Sequence, residues 1–224
     1  MNLRINKDSA LNSTSCNCRF CDLELLKSVY ANDVPWIENE NFYALVTQGA
    51  LVHGWSIIFP KEHILNLSNH YNKSSFYYFV NEVVQQTKTK FGKISVFEHG
   101  SAKENSLTGC GTSHAHLHVV PLQFSLEEES INFDDSLKWI KCRLNDLKPI
   151  VDGSEYLFVS DNYDGENTYG YVCVLNMETS QFFRKVIANR IGIPEKFDYK
   201  KYKMDENSKV TLDKLNDDNH IYQK

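Results

Sequence analysis

Between residues 36 and 121 short apolar runs, each closed by a turn residue, surround one long amphipathic stretch. The runs at 36–38, 42–47 and 55–59, punctuated by Gly49, Gly54 and Pro60, predict strands. Over 74–91, Phe76, Phe79, Val80, Val83, Val84 and Thr87 recur at helical spacing and Gly92 follows, so this stretch predicts the main helix. Strands are expected at 94–98 and 114–121, on either side of a loop rich in Gly, Ser and Asn. A shorter helix is expected at 20–30, after a cysteine cluster. The order of elements points to an α+β fold with an antiparallel sheet and one long helix.

The last third changes character. A polar loop at 127–135 precedes an expected helix at 136–147. A hairpin-like pair at 156–160 and 169–175 follows, then a helix at 180–189 ended by Ile191-Gly192 and Pro194. The chain divides into a loose N-terminus (1–15), a main domain (16–124), a C-terminal α/β extension (125–203) and a polar, mobile tail (204–224).

Composition narrows the function classes. With 42% hydrophobic and 24% charged residues the chain is an ordinary globular protein and not a disordered one. A net charge of −5 argues against general nucleic-acid binding, which runs on basic patches. The cluster Lys200, Lys201 and Lys203 is followed by Asp205 and Glu206 and reads as a solvated charge run. No run of about 18 apolar residues suggests a membrane span, and residues 1–15 carry no signal-like apolar stretch. The expectation is a cytoplasmic, reducing location, with the six cysteines as thiols or metal ligands.

Most of the chemistry is concentrated in His114-Ala115-His116-Leu117-His118-Val119-Val120. On a strand alternate side chains share a face, so the three imidazoles line one side while Ala115, Leu117 and Val119 face an apolar side. Such a row has a desolvation cost that strand stability does not call for. Incidental histidines on a polar face, a metal site and a nucleophilic histidine are the three readings. For the metal, no nearby Asp or Glu supplies a third ligand in a His-x-His pattern. For the nucleophile, neutral imidazole can attack phosphorus, and a neighbouring imidazole can protonate the leaving group.

This segment resembles the signature of the histidine-triad superfamily, His-φ-His-φ-His-φ-φ with φ apolar, at all seven positions. Phe59-Pro60-Lys61-Glu62-His63-Ile64 is similar to that family's apolar-Pro-Lys-x-His-Ile segment, and Cys18-Arg19-Phe20-Cys21 to its N-terminal Cys-x-Phe-Cys. Phe97-Glu98-His99-Gly100 and Ser180-Gln181-Phe182-Phe183-Arg184 resemble a branch that includes dinucleoside-polyphosphate phosphorylases and splicing-factor-like members.

The resemblance implies a nucleotide substrate cleaved at its α-phosphate, with His116 as nucleophile and His118 assisting the leaving group. Histidine at the third place, where transferase branches usually carry Gln, favours hydrolysis. In zinc-containing members the matching positions are Cys18, Cys21, His63 and His114, a closed Cys₂His₂ set of structural type, and no catalytic metal is implied. Cys16 could compete for the ion through a Cys-x-Cys pair. Phosphate contacts are expected from the loop Gly109, Cys110, Gly111, Thr112 and Ser113, from His99, and from Gln181 and Arg184, one helical turn apart. A plain turn and surface positions are the competing readings of the loop and of Arg184.

One departure stands out. Trp55 occupies the place where many members carry a supporting histidine, with His53 on the other side of Gly54. The resemblance also allows a homodimer formed through the long helix and an edge strand. Alternatives to the hydrolase are a zinc-stabilised nucleotide-binding module and a nucleic-acid repair protein of the deadenylating type. The latter would need a basic channel or an appended zinc finger, and neither is evident in the sequence.

Overall fold

In the computed structural model of the protein, residues 18–21, 23 and 34–217 are described. Residues 1–15, expected to be loose, Cys16 and nearly all of the helix expected at 20–30 lie outside them. Among the described residues eight strands form one antiparallel sheet: β1 (Ile37–Glu38), β2 (Phe42–Val46), β3 (Ser56–Pro60), β4 (Ile94–Gly100), β5 (Leu117–Pro121), β6 (Trp139–Arg143), β7 (Tyr156–Ser160) and β8 (Tyr169–Val174). The strand order is β1-β2-β3-β5-β4-β7-β8-β6. The C-terminal third therefore extends the same sheet, β7 pairing directly with β4. Among the described residues the helices with stated bounds are α1 (Ser74–Phe91), α2 (Leu126–Phe133), α3 (Leu147–Val151), α4 (Phe182–Arg190) and α5 (Asp205–Asn216).

The period of two along each strand sorts side chains to two covered faces. Val96, Leu117, Val119, Phe158 and Val172 pack with Phe76, Phe79, Val80, Val83 and Val84 of α1. The intervening residues, Phe97, Val120, Leu157, Val159 and Cys173, pack with Phe182, Phe183, Val186 and Ile187 of α4. At the β2–β3 end of that second face a separate cluster, Phe20, Tyr43, Leu45, Ile57 and Phe59, is closed by the N-terminal knuckle that carries Cys18. The two covers face each other across the start of β5, where His118 lies and which His116 immediately precedes.

The main helix has the bounds and the buried face that its pattern predicts. Between 126 and 147 the structure corrects the expectation. A helix, α2, replaces the polar loop: Ser125 Oγ accepts the Glu128 N–H (3.0 Å), and three acidic residues occupy the first turn. The expected helix at 136–147 is instead edge strand β6, a 3₁₀ turn (Leu144–Asp146) and the short α3. Leu137, Ile140, Leu144 and Leu147 imitate a helical spacing, but Ile140 is 52% exposed while Leu144 and Leu147 enter the α1-side core.

The expected mobile tail contains α5, which is packed and not free. Thr211 Oγ1 accepts the Gly54 N–H (2.8 Å), Ser208 Oγ donates to the Thr47 carbonyl (3.1 Å), and Leu215 joins the α1-side core. Gly54 itself is at φ +84, and a Cβ there would stand 2.6 Å from both Phe91 and Pro121, so only glycine fits.

Candidate functional site

β5 is shorter than the expected strand. It begins at Leu117, so His114, at a bend, and His116 lie in the segment that leads into it, held where the Ala115 N–H donates to the Ile64 carbonyl (2.7 Å). Ala115, Leu117 and Val119 face the α1-side core as expected. All three histidines are buried, at 1%, 8% and 6% exposure, but they do not form one group. His114 turns to the knuckle. His116 and His118 face a cavity, with ring centroids 4.8 Å apart.

The cavity lies in the gap between the two covers of the second sheet face. Arg19 and Phe20 of the knuckle bound one side, Arg184 of α4 and Tyr199 the other, and His99, His116 and His118 lie along it with Thr47, Ile57, Cys110 and Thr112. Of the residues expected to contact phosphate, His99, Cys110, Thr112 and Arg184 line it; Gly109, Gly111, Ser113 and Gln181 do not. Ser113 Oγ is taken by the Asn105 N–H (2.8 Å). Gln181 caps α4 in a left-handed conformation, its N–H donating to Cys110 Sγ (3.3 Å). The loop amides of Cys110 and Thr112 close internal turns on Leu107 and Gly109 (each 3.0 Å). Gly111 is at φ +80, which by itself accounts for a glycine there.

Arg184 is only 4% exposed. Nε donates to the Phe197 carbonyl (2.7 Å) and Nη2 to the Gly49 carbonyl (2.6 Å), and the guanidinium lies 5.0 Å from the Trp55 ring centroid. Burial brings its pKa down to about 10, which leaves it charged at neutral pH. It is fixed in place as a cationic wall of the cavity.

Hydrogen bonds fix the protonation of each imidazole. His116 Nδ1 is 2.8 Å from the His114 carbonyl oxygen; a carbonyl can only accept, so Nδ1 carries the hydrogen, and in the neutral ring that burial favours Nε2 has the lone pair. His118 Nδ1 is 3.0 Å from the indole nitrogen of Trp55, which can only donate, so here Nδ1 carries the lone pair. The His118 ring is also stacked on Phe97, its cross-strand partner, at 4.2 Å. Burial lowers the pKa of both histidines, His118 far below the ordinary value with His116, His99 and Arg184 adding to the effect. His99 Nε2 receives the Phe183 N–H at 3.5 Å, and burial first, then the neighbouring positive groups, bring its pKa to about 3.

His114 belongs to a second constellation. One ligand atom from each of Cys18, Cys21, His63 and His114 lies within 4.8 Å of the others. Cys18 Sγ is 3.4 Å and Cys21 Sγ 3.7 Å from His114 Nδ1, and Cys21 Sγ is 3.2 Å from His63 Nδ1. Tetrahedral zinc would separate sulfur and nitrogen ligands by about 3.6 Å. Each imidazole has an acceptor beyond it: Pro60 carbonyl for His114 Nε2 (2.8 Å) and Glu104 for His63 Nε2 (2.9 Å). Both Nδ1 lone pairs are thereby turned inward, the usual outer support of a metal-binding histidine.

Sequence reasoning missed Tyr199, whose hydroxyl donates to the Cys110 carbonyl (2.8 Å), and it placed the adjacent Lys200 in a solvated run. In the structure Lys200 Nζ lies over the 109–113 loop, 2.7 Å from where a Cβ on Gly111 would stand. Nothing local in the sequence links residues so far apart in the chain.

No family model matches the sequence, and a search of curated proteins finds no match. Among solved structures the chain is similar to a Hit-like protein involved in cell-cycle regulation from Bartonella henselae (20% identity, 47% of this chain and 79% of that one, TM-score 0.39). It is also similar to a HIT family hydrolase from Clostridium thermocellum (18%, 49% and 94%, TM-score 0.36). A hypothetical histidine triad nucleotide-binding protein from Sulfolobus tokodaii covers more of it (14%, 84% and 96%, TM-score 0.36). At these identities and scores the similarities carry no weight for function, which rests on the geometry of the cavity.

Proposed function

We propose that the protein is a nucleotide hydrolase or nucleotidyl transferase of histidine-triad type, cleaving the bond at a nucleotide's α-phosphorus through a covalent intermediate on His116. The carrying observation is the His116 Nδ1 hydrogen bond to its own chain at the His114 carbonyl. It directs the Nε2 lone pair outward as a nucleophile and steadies the positive charge that grows on the ring when Nε2 bonds phosphorus. Burial supports the same role by keeping the ring neutral.

Attack forms the P–Nε2 bond and breaks the bond from phosphorus to the leaving group, which departs with the electron pair. Water then attacks phosphorus, the P–N pair returns to His116 and a proton is released to solvent. Arg19 and Arg184 supply a cationic surround for the phosphates. Cys18, Cys21, His63 and His114 would hold a zinc of closed, structural type, tying the knuckle that carries Arg19 and Phe20 to the approach segment of His116.

A panel of dinucleoside polyphosphates, nucleoside phosphoramidates and nucleotide–sugar conjugates tests this reading. Release of a nucleoside monophosphate from at least one, lost in His116→Ala, is expected. No turnover of any conjugate, or equal turnover in the variant, would contradict it.

A further inference from the structure

Trp55 is fully buried, with its indole N–H on His118 Nδ1, its ring edge-on to Phe97 at 5.8 Å and the Arg184 guanidinium against it. The indole nitrogen has one hydrogen and no acceptor. As long as that bond persists, His118 Nδ1 stays bare, and the ring's only hydrogen sits on Nε2, the nitrogen left to face the cavity. A second proton has no place, because an Nδ1–H would be driven against the indole N–H, which stands 3.0 Å from Nδ1 between two buried rings. A neutral Nε2–H can hydrogen-bond a departing atom, but surrendering the proton would leave an imidazolate. His118 is thus a fixed donor and not a proton source.

We propose that Trp55 is a positioning residue that locks His118 as a neutral Nε2–H donor and thereby selects substrates whose leaving group departs as a ready-made anion, nucleoside polyphosphates in preference to phosphoramidates. The proposal rests on His116 as nucleophile. In a polyphosphate the P–O bond breaks with its electron pair on a phosphate oxygen, which is stable as an anion and accepts the Nε2–H hydrogen bond. In a phosphoramidate the P–N bond breaks toward an amine, which must gain a proton that His118 does not release. The cavity's charge agrees independently. Arg19 and Arg184 line it, and Lys200 Nζ lies over the loop at Gly111, so extra phosphates have cationic partners whereas an uncharged amine has none.

The tautomer is read directly from ¹⁵N shifts of ring-labelled histidine in the parent protein. His118 is expected with a bare Nδ1 and a protonated Nε2 at neutral pH; an Nδ1–H or a doubly protonated ring overturns the proposal. In parallel, turnover of a dinucleoside tetraphosphate is compared with that of a nucleoside phosphoramidate in the parent and in Trp55→Phe, whose fold the same spectra report. General acid catalysis is worth about 10²–10⁴-fold. The parent should therefore favour the tetraphosphate by roughly 100-fold or more, and Trp55→Phe, with Nδ1 released, should narrow that ratio by about tenfold. Equal rates in the parent overturn the selectivity. If neither substrate is turned over while Nε2 is protonated, the positioning by Trp55 stands and the nucleotidyl chemistry of His116 falls.

Discussion

At His99 burial decides a protonation state that solvent would leave near balance. The ring takes a pKa of about 3 in the folded protein, against about 6.5 when exposed in an unfolded chain. Between those values the unfolded chain binds a proton that the folded one does not, so this contribution is complete above pH 6.5 and is lost as pH falls toward 3. Glu98, on the opposite face of β4, has the other sign. Burial raises it to about 7 despite hydrogen bonds from Tyr156, Tyr71 and the Leu67 amide, so its contribution is lost as pH rises through that value. The clean test is therefore a difference. Urea unfolding from pH 6.5 to 4.5 should show His99→Gln losing less stability than the parent, by about 1.4 kcal/mol per pH unit at most. Identical slopes would mean that His99 titrates normally. The triad's sequence spacing alone predicted imidazoles in a row. It could not predict that His116 and His118 would hold opposite tautomers, because their partners, a chain carbonyl and Trp55, are set by tertiary geometry.

Elements with a strong apolar stripe were legible from the sequence, and α1 is the clearest, since its buried residues follow one helical face. Where polar groups make the contact, the pattern failed. The inner face of α5 is Ser208, Thr211 and Leu215, two hydroxyls and one apolar residue, so its burial had no hydrophobic signature. Its hold on the 47–54 loop is by hydrogen bonds, and Thr211→Val should strand the Gly54 N–H at a cost of about 1–3 kcal/mol. Chemical denaturation of the full chain measures this; an unchanged midpoint would mean that α5 is detached in solution. The α2 start had a readable signal, Ser125 three residues before Glu128, which the surrounding acidic run obscured. The knuckle is legible only as a ligand pattern, because four residues cannot form a core. Cys18→Ala with Cys21→Ala should remove a bound zinc and lower stability by about 3 kcal/mol, roughly 6–12 °C in Tm. Metal-free parent protein from a chelator-free preparation, with the same Tm as the double variant, would refute that assignment.

Over the whole molecule, the cavity exists because two covers of one sheet face stop short of each other. The knuckle covers β2 and β3, and α4 covers β4, β7 and β8, with His116 and His118 left between them. The C-terminal third is thus part of the site and not an appendage, since Arg184 and Tyr199 close it. The motif residues were readable because each motif is contiguous. Of the closing wall, Arg184 was readable from its motif, whereas Tyr199 was not, because it reaches the cavity only through the folding of the chain around the sheet. Among the described residues no helix is long and apolar enough to cross a membrane. The central claim, that His116 Nε2 bonds phosphorus, is tested most directly by mixing the protein with a dinucleoside polyphosphate, quenching within milliseconds and measuring intact and peptide masses. The account predicts a transient nucleoside-monophosphate adduct on the peptide containing His116, acid-labile and absent from His116→Ala. Rapid turnover with no adduct at any time, or full activity in His116→Ala, would contradict it.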